Sequence, residues 1–340
     1  MPLTFVPTGR DDVPELVRFL TGVFGLRDDA PFVAGDLVEW KYFAPHPYWH
    51  GPRSYLLKQD GRLAAHGCAH PATFLSPGRQ VTSTRVIDWA AGAGVPGAGV
   101  LLFRKFATLA DTLFAVGGSP ETQSILPKIG FRRVGELSLY VLPLRPVRQF
   151  FRRPKKDARS VARLVRNLAW SRATSADAPK RFSAVPVERF ECVTEPGPAA
   201  QFTPTRRSPE LLNLMLACPG AVFRGFAIRE GADERGHFVL SRVAGQTRIV
   251  DIRIDGDWKT AFALATREAA RDPETCEIAA AASVDPLREA ILANEFQPRG
   301  AEPVFLYDPK RLLADAPPLN LQLLDGDECY LNNPDYPFWS

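Results

Sequence analysis

The sequence predicts an α+β fold in two halves of similar outline. Each is a mixed, mostly antiparallel sheet flanked by helices, and a basic helical segment joins them. Three observations carry this prediction. Strand-like and helix-like runs follow one another in the same order in both halves, ending each time in strand, turn, helix, strand, helix. The 340 residues are 45% hydrophobic and 24% charged, enough for two ordinary cores. Between the halves the charge changes sharply. Arg145 to Arg181 holds twelve Lys and Arg against Asp157 and Asp177, a local +10, whereas the whole chain carries +4. The expected boundaries are 1–144, a basic linker at 145–181, and 182–340.

In the first half, Leu3–Val6 reads as a strand. Asp11 and Asp12 then open a helix with Pro14 in its first turn, and Leu16, Phe19, Leu20, Val23 and Phe24 form its apolar stripe. His46-Pro-Tyr-Trp-His50 is an aromatic loop. Ser54–Lys58 and Leu63–His70 flank an Asp-Gly turn and predict a hairpin. Arg79–Ala91 is the strand that runs into Gly92-Ala-Gly-Val-Pro-Gly-Ala-Gly99. The helix beginning at Val100, the strand Thr112–Gly117, the helix Ser119–Ile129 and a hairpin over Phe131–Leu142 complete the half.

A glycine turn between a buried strand and a helix leaves the first helical N–H groups free and lets a ligand reach the backbone, which suits an anion. No Gly-Lys-Ser/Thr follows, so the loop is not a Walker loop. Gly92 to Gly97 fits G-x-G-x-x-G, but it lies some 90 residues into the chain and lacks the acidic residue that a dinucleotide fold places after its second strand. Gly97-Ala-Gly99-Val-Leu-Leu resembles the end of the motif Q/R-x-x-G-x-G/A of the GNAT acyl-CoA N-acyltransferases. Ile125-Leu-Pro-Lys-Ile-Gly-Phe131 resembles that family's later L-Y-x-x-x-G-F. The resemblance spans Leu3 to Leu142 and implies two GNAT-like domains, the second degenerate. It further implies acetyl-CoA or a related thioester as co-substrate, without a metal, and transfer of the acyl group to an amine. The cofactor would meet Trp89, Ala90, Ala91, Gly92, Gly94, Val95, Pro96, Gly97, Ala98, Gly99 and Val100, with Ser119 and Ser124 beside its pantetheine arm. Gly94 stands where the family has Gln or Arg, and Leu126 where many members have a Tyr acting as general acid.

In 145–181, Asp157–Arg172 forms one helix with Val161, Leu164, Val165 and Leu168 on one face and Arg159, Arg163 and Arg166 on the other. It suits either an anionic membrane surface or an interdomain helix that docks its apolar face and leaves its arginines solvated. In the second half the strand Arg248–Ile254 meets the helix Trp258–Arg271 through Asp255-Gly-Asp, where a phosphate would face carboxylates. The aromatic tail from Pro317 to Ser340 is expected to pack on a domain surface.

Two side chains are candidates for moving protons. Asp88 lies on the strand entering the glycine loop, where burial would raise its basicity. Its strand alternation places it with Val86 and Ala90, opposite Ile87 and Trp89. The alternative is a structural Asp capping a neighbouring loop or pairing with Arg85. His70 is the second candidate, and it shares a face with His66 and Cys68, whose spacing matches no metal motif. Five scattered cysteines and an N-terminus without a signal pattern imply a reduced, cytoplasmic setting, peripheral to a membrane if the basic helix binds one. Two rival functions remain: a CoA-binding scaffold without turnover, and an aminoacyl-tRNA-dependent transferase of paired GNAT-like build. The glycine loop argues against the second and against nucleic acid as a partner.

Overall fold

A computed structural model describes residues 3–27, 29–171, 178–194, 201–333 and 335–340. The chain divides into two units, Met1–Val134 with Val304–Ala316, and Gly135–Pro303 with Pro317–Ser340.

The first unit contains β1 (Leu3–Pro7), α1 (Val13–Phe24), α2 (Gly35–Phe43), β2 (Ser54–Gln59), β3 (Arg62–Ser76), β4 (Arg79–Ala91), α3 (Ala98–Phe106), β5 (Thr112–Val116) and α4 (Pro120–Ile125). β1 to β4 form an antiparallel meander. Asp60 and Gly61 make the two-residue turn between β2 and β3 with φ of 51° and 75°, the left-handed pair that a tight hairpin requires. Side-chain alternation sends Leu56, Cys68, Ile87 and Ala90 to one face, where Leu16 and Leu20 of α1 and Val38 and Tyr42 of α2 cover them. Tyr55, Leu57, Ala65 and Ala69 go to the other, against Leu102, Phe103 and Phe106 of α3. Val23 and Phe24, read as part of the buried stripe of α1, are exposed in its last turn.

Two sequence expectations fail where this unit ends. Phe131–Leu142 is no hairpin: Arg132–Pro143 is one unbroken strand, β6, because Gly135 keeps a strand conformation instead of turning. The unit thus ends at Val134, before the expected boundary at 144. β5 pairs instead with Val304–Tyr307, Val304 opposite Val116 and Tyr307 opposite Leu113.

The second unit continues with α5 (Pro146–Arg152), α6 (Ala158–Trp170), β7 (Phe182–Val187), β8 (Thr203–Pro204), α7 (Pro209–Leu216), β9 (Val222–Glu230), β10 (Asp233–Val243), β11 (Gln246–Ile254), α8 (Trp258–Arg271), β12 (Glu277–Ala282), α9 (Asp285–Leu292), the start of β13 (Gln297–Tyr307), whose residues from Val304 on belong to the first unit, and β14 (Leu319–Asn320). Its sheet runs β7-β9-β10-β11-β12-β6, antiparallel except for β11 with β12. The basic segment is not a free linker. Arg145 donates to the carbonyls of Ala270, Asp272 and Thr275, and Arg148 and Arg152 pair with Glu274. Arg172 and the five residues after it lie outside the described residues. No helix among the described residues is long and apolar enough to cross a membrane.

Candidate functional site

β4 and β5 pair only over Ser83–Arg85 with Thr112–Phe114. Past Arg85 the two strands part, and among the described residues β4 keeps only β3 as a partner. The parting coincides with a bulge. His66 faces Ala90 and Cys68 faces Ile87, so Asp88 and Trp89 together oppose Gly67. Asp88 takes the left-handed conformation at φ 52°, a strain of about 1–3 kcal/mol that Asp tolerates better than most residues. Gly67 has to lack a side chain, since a Cβ there would lie 2.8 Å from Leu102 and 2.9 Å from Val86.

The bulge breaks the expected alternation. Val86 and Trp89 pack toward α3, while Ile87 and Ala90 pack toward α1 and α2. The Asp88 side chain joins the second group. Its Oδ2 accepts from Lys41 Nζ at 2.7 Å and from Tyr42 Oη at 2.6 Å, and both the Lys41 and Asp88 side chains are wholly buried. The ion-pair partner is therefore Lys41 of α2, not Arg85. Lys41 also donates to the Phe32 carbonyl at 3.1 Å and stands 4.1 Å from the Phe32 ring centre. Among the described residues Asp88 Oδ1 finds no partner.

Next to this pair runs a buried polar chain. The Asp88 carbonyl accepts from His66 Nδ1 at 3.1 Å, which leaves Nε2 to accept from Ser54 Oγ at 2.8 Å, and Ser54 Oγ lies 2.7 Å from Thr8 Oγ1. Burial pushes the His66 pKa down to about 4, so the ring is neutral. His46 is also held well below its ordinary value, by burial first and then by Arg53 and His70. His70 is buried on β3, the strand that carries His66. Among the described residues no group of His, Cys, Asp and Glu is placed to hold a metal.

Beyond Ala91 comes the glycine loop. Gly92 N–H still bonds to Ala64 O at 2.9 Å. Gly97 is left-handed at φ 81° and opens α3 without any side-chain cap. Ala98 and Leu101 N–H find acceptors within the loop, but the N–H groups of Gly94, Gly97, Gly99 and Val100 find no main-chain acceptor among the described residues. Side chains at Gly94 or Gly97 would meet open space. Trp89, expected against a cofactor, props the loop. Its indole donates to Gly99 O at 3.2 Å and lies so close that a Cβ at Gly99 would sit 3.0 Å away. Ser119 and Ser124 serve α4 itself, Ser119 accepting from Thr122 N–H and Ser124 donating to Glu121 O. Sequence reasoning missed a cleft of about 290 Å³ along α3, lined by Val100, Phe103, Arg104, Lys128, Phe131 and Tyr307.

The second unit repeats the plan and closes it. β11 and β12 pair only from Gln246 to Ile249, and a bulge at Val250 follows. The gap is filled by the chain. Gln322 Oε1 accepts from Ile252 N–H at 3.0 Å while its Nε2 donates to Ile252 O at 3.1 Å. Ser283, just past β12, donates to Leu319 O at 2.6 Å and accepts from Leu321 N–H at 2.7 Å. Asp257 caps α8, accepting from Thr260 N–H at 3.0 Å. The tail thus packs inside this unit as well as on its surface, with Leu321, Leu323 and Leu324 buried.

The chain is similar in fold to solved structures. A GCN5-related N-acetyltransferase from Anabaena variabilis is similar with a TM-score of 0.56 at 12% identity, covering 90% of this chain and 72% of that one. A probable N-acyltransferase from Enterococcus faecalis gives 0.54 at 11% identity over 90% and 72%. A tandem GNAT protein from the clavulanic acid biosynthesis pathway gives 0.51 at 16% identity and is covered over 98% of its length, against 90% of this chain. The fold is the GNAT fold, built twice. No protein-family model and no curated protein matches the sequence. In this tandem GNAT arrangement the second unit is the degenerate one, lacking the glycine loop and filled by its own tail. In the first GNAT unit Leu126 is a fully buried core residue beside Phe131, so no general acid stands at that position.

Proposed function

We propose that the first unit is an acyl-CoA-dependent N-acyltransferase that uses acetyl-CoA or a related short acyl thioester and a small-molecule amine. The acceptor class best suited to the aromatic loop His46–His50 is an amino sugar or a conjugate of one. The observation that carries this reading is the uncapped start of α3 behind left-handed Gly97, against the Asp257-capped start of α8. Unpaired amides there suit a diphosphate. Arg104 and Lys128 in the cleft along α3 suit the further phosphate of CoA, and the apolar walls suit its adenine. The acyl-CoA, when bound, would supply the activated acyl group as its thioester and leave as the CoA thiol.

What the chain must add is a proton acceptor for the amine and donors for the carbonyl oxygen. Asp88 meets Lys41 and Tyr42 in a closed pair, so in this reading it is a positioning residue that locks the bulge at the mouth of the strand gap. His70 is then the remaining candidate for direct proton transfer. Calorimetric titration with CoA, together with thiol release over a panel of amines, tests the proposal. One site per chain, abolished by Gly97→Glu plus Gly99→Glu, supports the cradle, and His70→Gln tests the acceptor. The buried Leu126 favours one second reading, a CoA-binding protein without turnover; binding with no thiol release from any amine would establish it.

A further inference from the structure

α6 is folded inside out. Its inward face is largely polar: Ser160 and Asn167 are buried, with Leu164, expected on the apolar face, half-buried between them, and Asn167 Nδ2 donates to Gln149 Oε1 at 2.8 Å and to Ser340 Oγ at 2.9 Å. Its outward residues are apolar. Val161, Val165 and Leu168 are 50%, 63% and 49% exposed, and Ala158, Ala162 and Ala169 are exposed with them. At 3.6 residues per turn these six fill one arc of about 120° with no polar residue among them. A surface helix ordinarily turns such a stripe to the core. The neighbouring α5 adds Val147 and Phe151, the latter 71% exposed.

One flank of the stripe is strongly cationic. Arg159 is exposed, Arg163 and Arg166 are half-buried beside Arg299, and Arg153 lies buried behind them, donating to the Ser340 carbonyl. Burial, then the charges of Arg299, Arg163 and Arg153, lowers the pKa of Arg166, whose guanidinium donates to Asn167 Oδ1, and Asp157 acts on Arg153 in the opposite sense. The Glu277 carboxylate, which also acts on them, is already bonded by Gln149, Gln246 and the amides of Trp339 and Ser340. Arg166 and Arg299 stack on Trp170 at 4.3 and 5.9 Å.

We propose that α6 docks the protein on an anionic lipid bilayer, its Val/Ala/Leu stripe in the headgroup–acyl boundary and its arginine flank on the lipid phosphates. The stripe is too narrow for a second copy of the chain. Thirteen residues make a helix about 20 Å long, and a strip about 10 Å wide gives roughly 200 Å², against about 800 Å² per partner in a stable interface. Two copies meeting there would also oppose like charges, whereas anionic lipid supplies opposite ones.

The test is co-sedimentation of the full chain with vesicles of phosphatidylcholine, alone or mixed with phosphatidylglycerol, at low and high salt. Binding is expected only with phosphatidylglycerol, weakening about tenfold or more at high salt. Val165→Ser plus Leu168→Ser lies on the exposed face and should keep the melting temperature while weakening binding about tenfold. Arg159→Gln plus Arg163→Gln should weaken it similarly and flatten the salt dependence. Equal binding to pure phosphatidylcholine, or binding to neither vesicle, overturns the proposal. So does a dimer in light scattering that the serine variant dissolves, since the occupant would then be a second copy.

Discussion

The Lys41 ammonium and the Asp88 carboxylate lie 2.7 Å apart with neither side chain reaching solvent. They tie α2 to the bulge of β4. Asp88→Asn leaves a buried ammonium without its counter-charge, so a loss of about 3–5 kcal/mol in urea unfolding is expected. Lys41→Met added to Asp88→Asn removes that charge and should restore most of the stability. If Asp88 only positions the bulge, thiol release recovers with it. Recovery of stability with kcat still down ~10²–10⁴-fold would make Asp88 the base.

His66 sets a pH limit. Its folded pKa of about 4 lies below the unfolded value near 6.5, so below pH 6.5 the unfolded chain binds the proton first. The contribution is whole above pH 6.5 and is lost progressively as pH falls toward 4. By pH 5 the loss is about 2 kcal/mol from this group alone, and His46 acts in the same direction. Urea midpoints for the parent and His66→Gln should converge as pH drops from 7 to 5. Parallel midpoints would show that His66 is not the sensor.

CoA should titrate to one equivalent per chain. Gly99→Ala alone should weaken binding, because its Cβ would press on the Trp89 indole at 3.0 Å and displace the start of α3. Asp257→Gly uncaps α8 yet should create no second site, since Gln322 still occupies the strand gap. Two equivalents in that variant would contradict this account.

Residues 1–144 should not fold alone. They lack Val304–Tyr307, the strand beside β5, and with it the Phe305 and Tyr307 side chains of the α3 core. The bare β5 edge invites aggregation. Tethering residues 304–316 to the fragment should recover a cooperative melt; a cooperative melt without them would show the strand to be dispensable.

Local chemistry was legible in the sequence. Asp60-Gly61 announced its hairpin, and the helix read over Trp258–Arg271 is there with those bounds. Pairings decided elsewhere in the chain were not. Gly135 reads as a turn until β12 pairs with the residues after it, Leu139 opposite Ala281. The bulge at Asp88 depends on Gly67 of the neighbouring strand, so alternation within β4 could not reveal it. Lys41 sits in a short helix where lysine normally reaches water, and only a carboxylate 47 residues away buries it. The helical period of α6 was plain in the sequence, but which face turned inward was set by Gln149 and Ser340.

Gln322 gives the second unit a ligand of its own. A side-chain amide bonded through both N–H and C=O to Ile252 is chemically what an amide-bearing guest would offer that strand. A guest in solution occupies its host according to concentration, whereas a tethered amide faces its site at an effective concentration in the millimolar range or above. Saturation is then a property of the covalent chain. Metabolite supply should govern the melting of the first unit while leaving the second indifferent, and selection on the loop Asp255–Trp258 would be free to follow capping and packing alone.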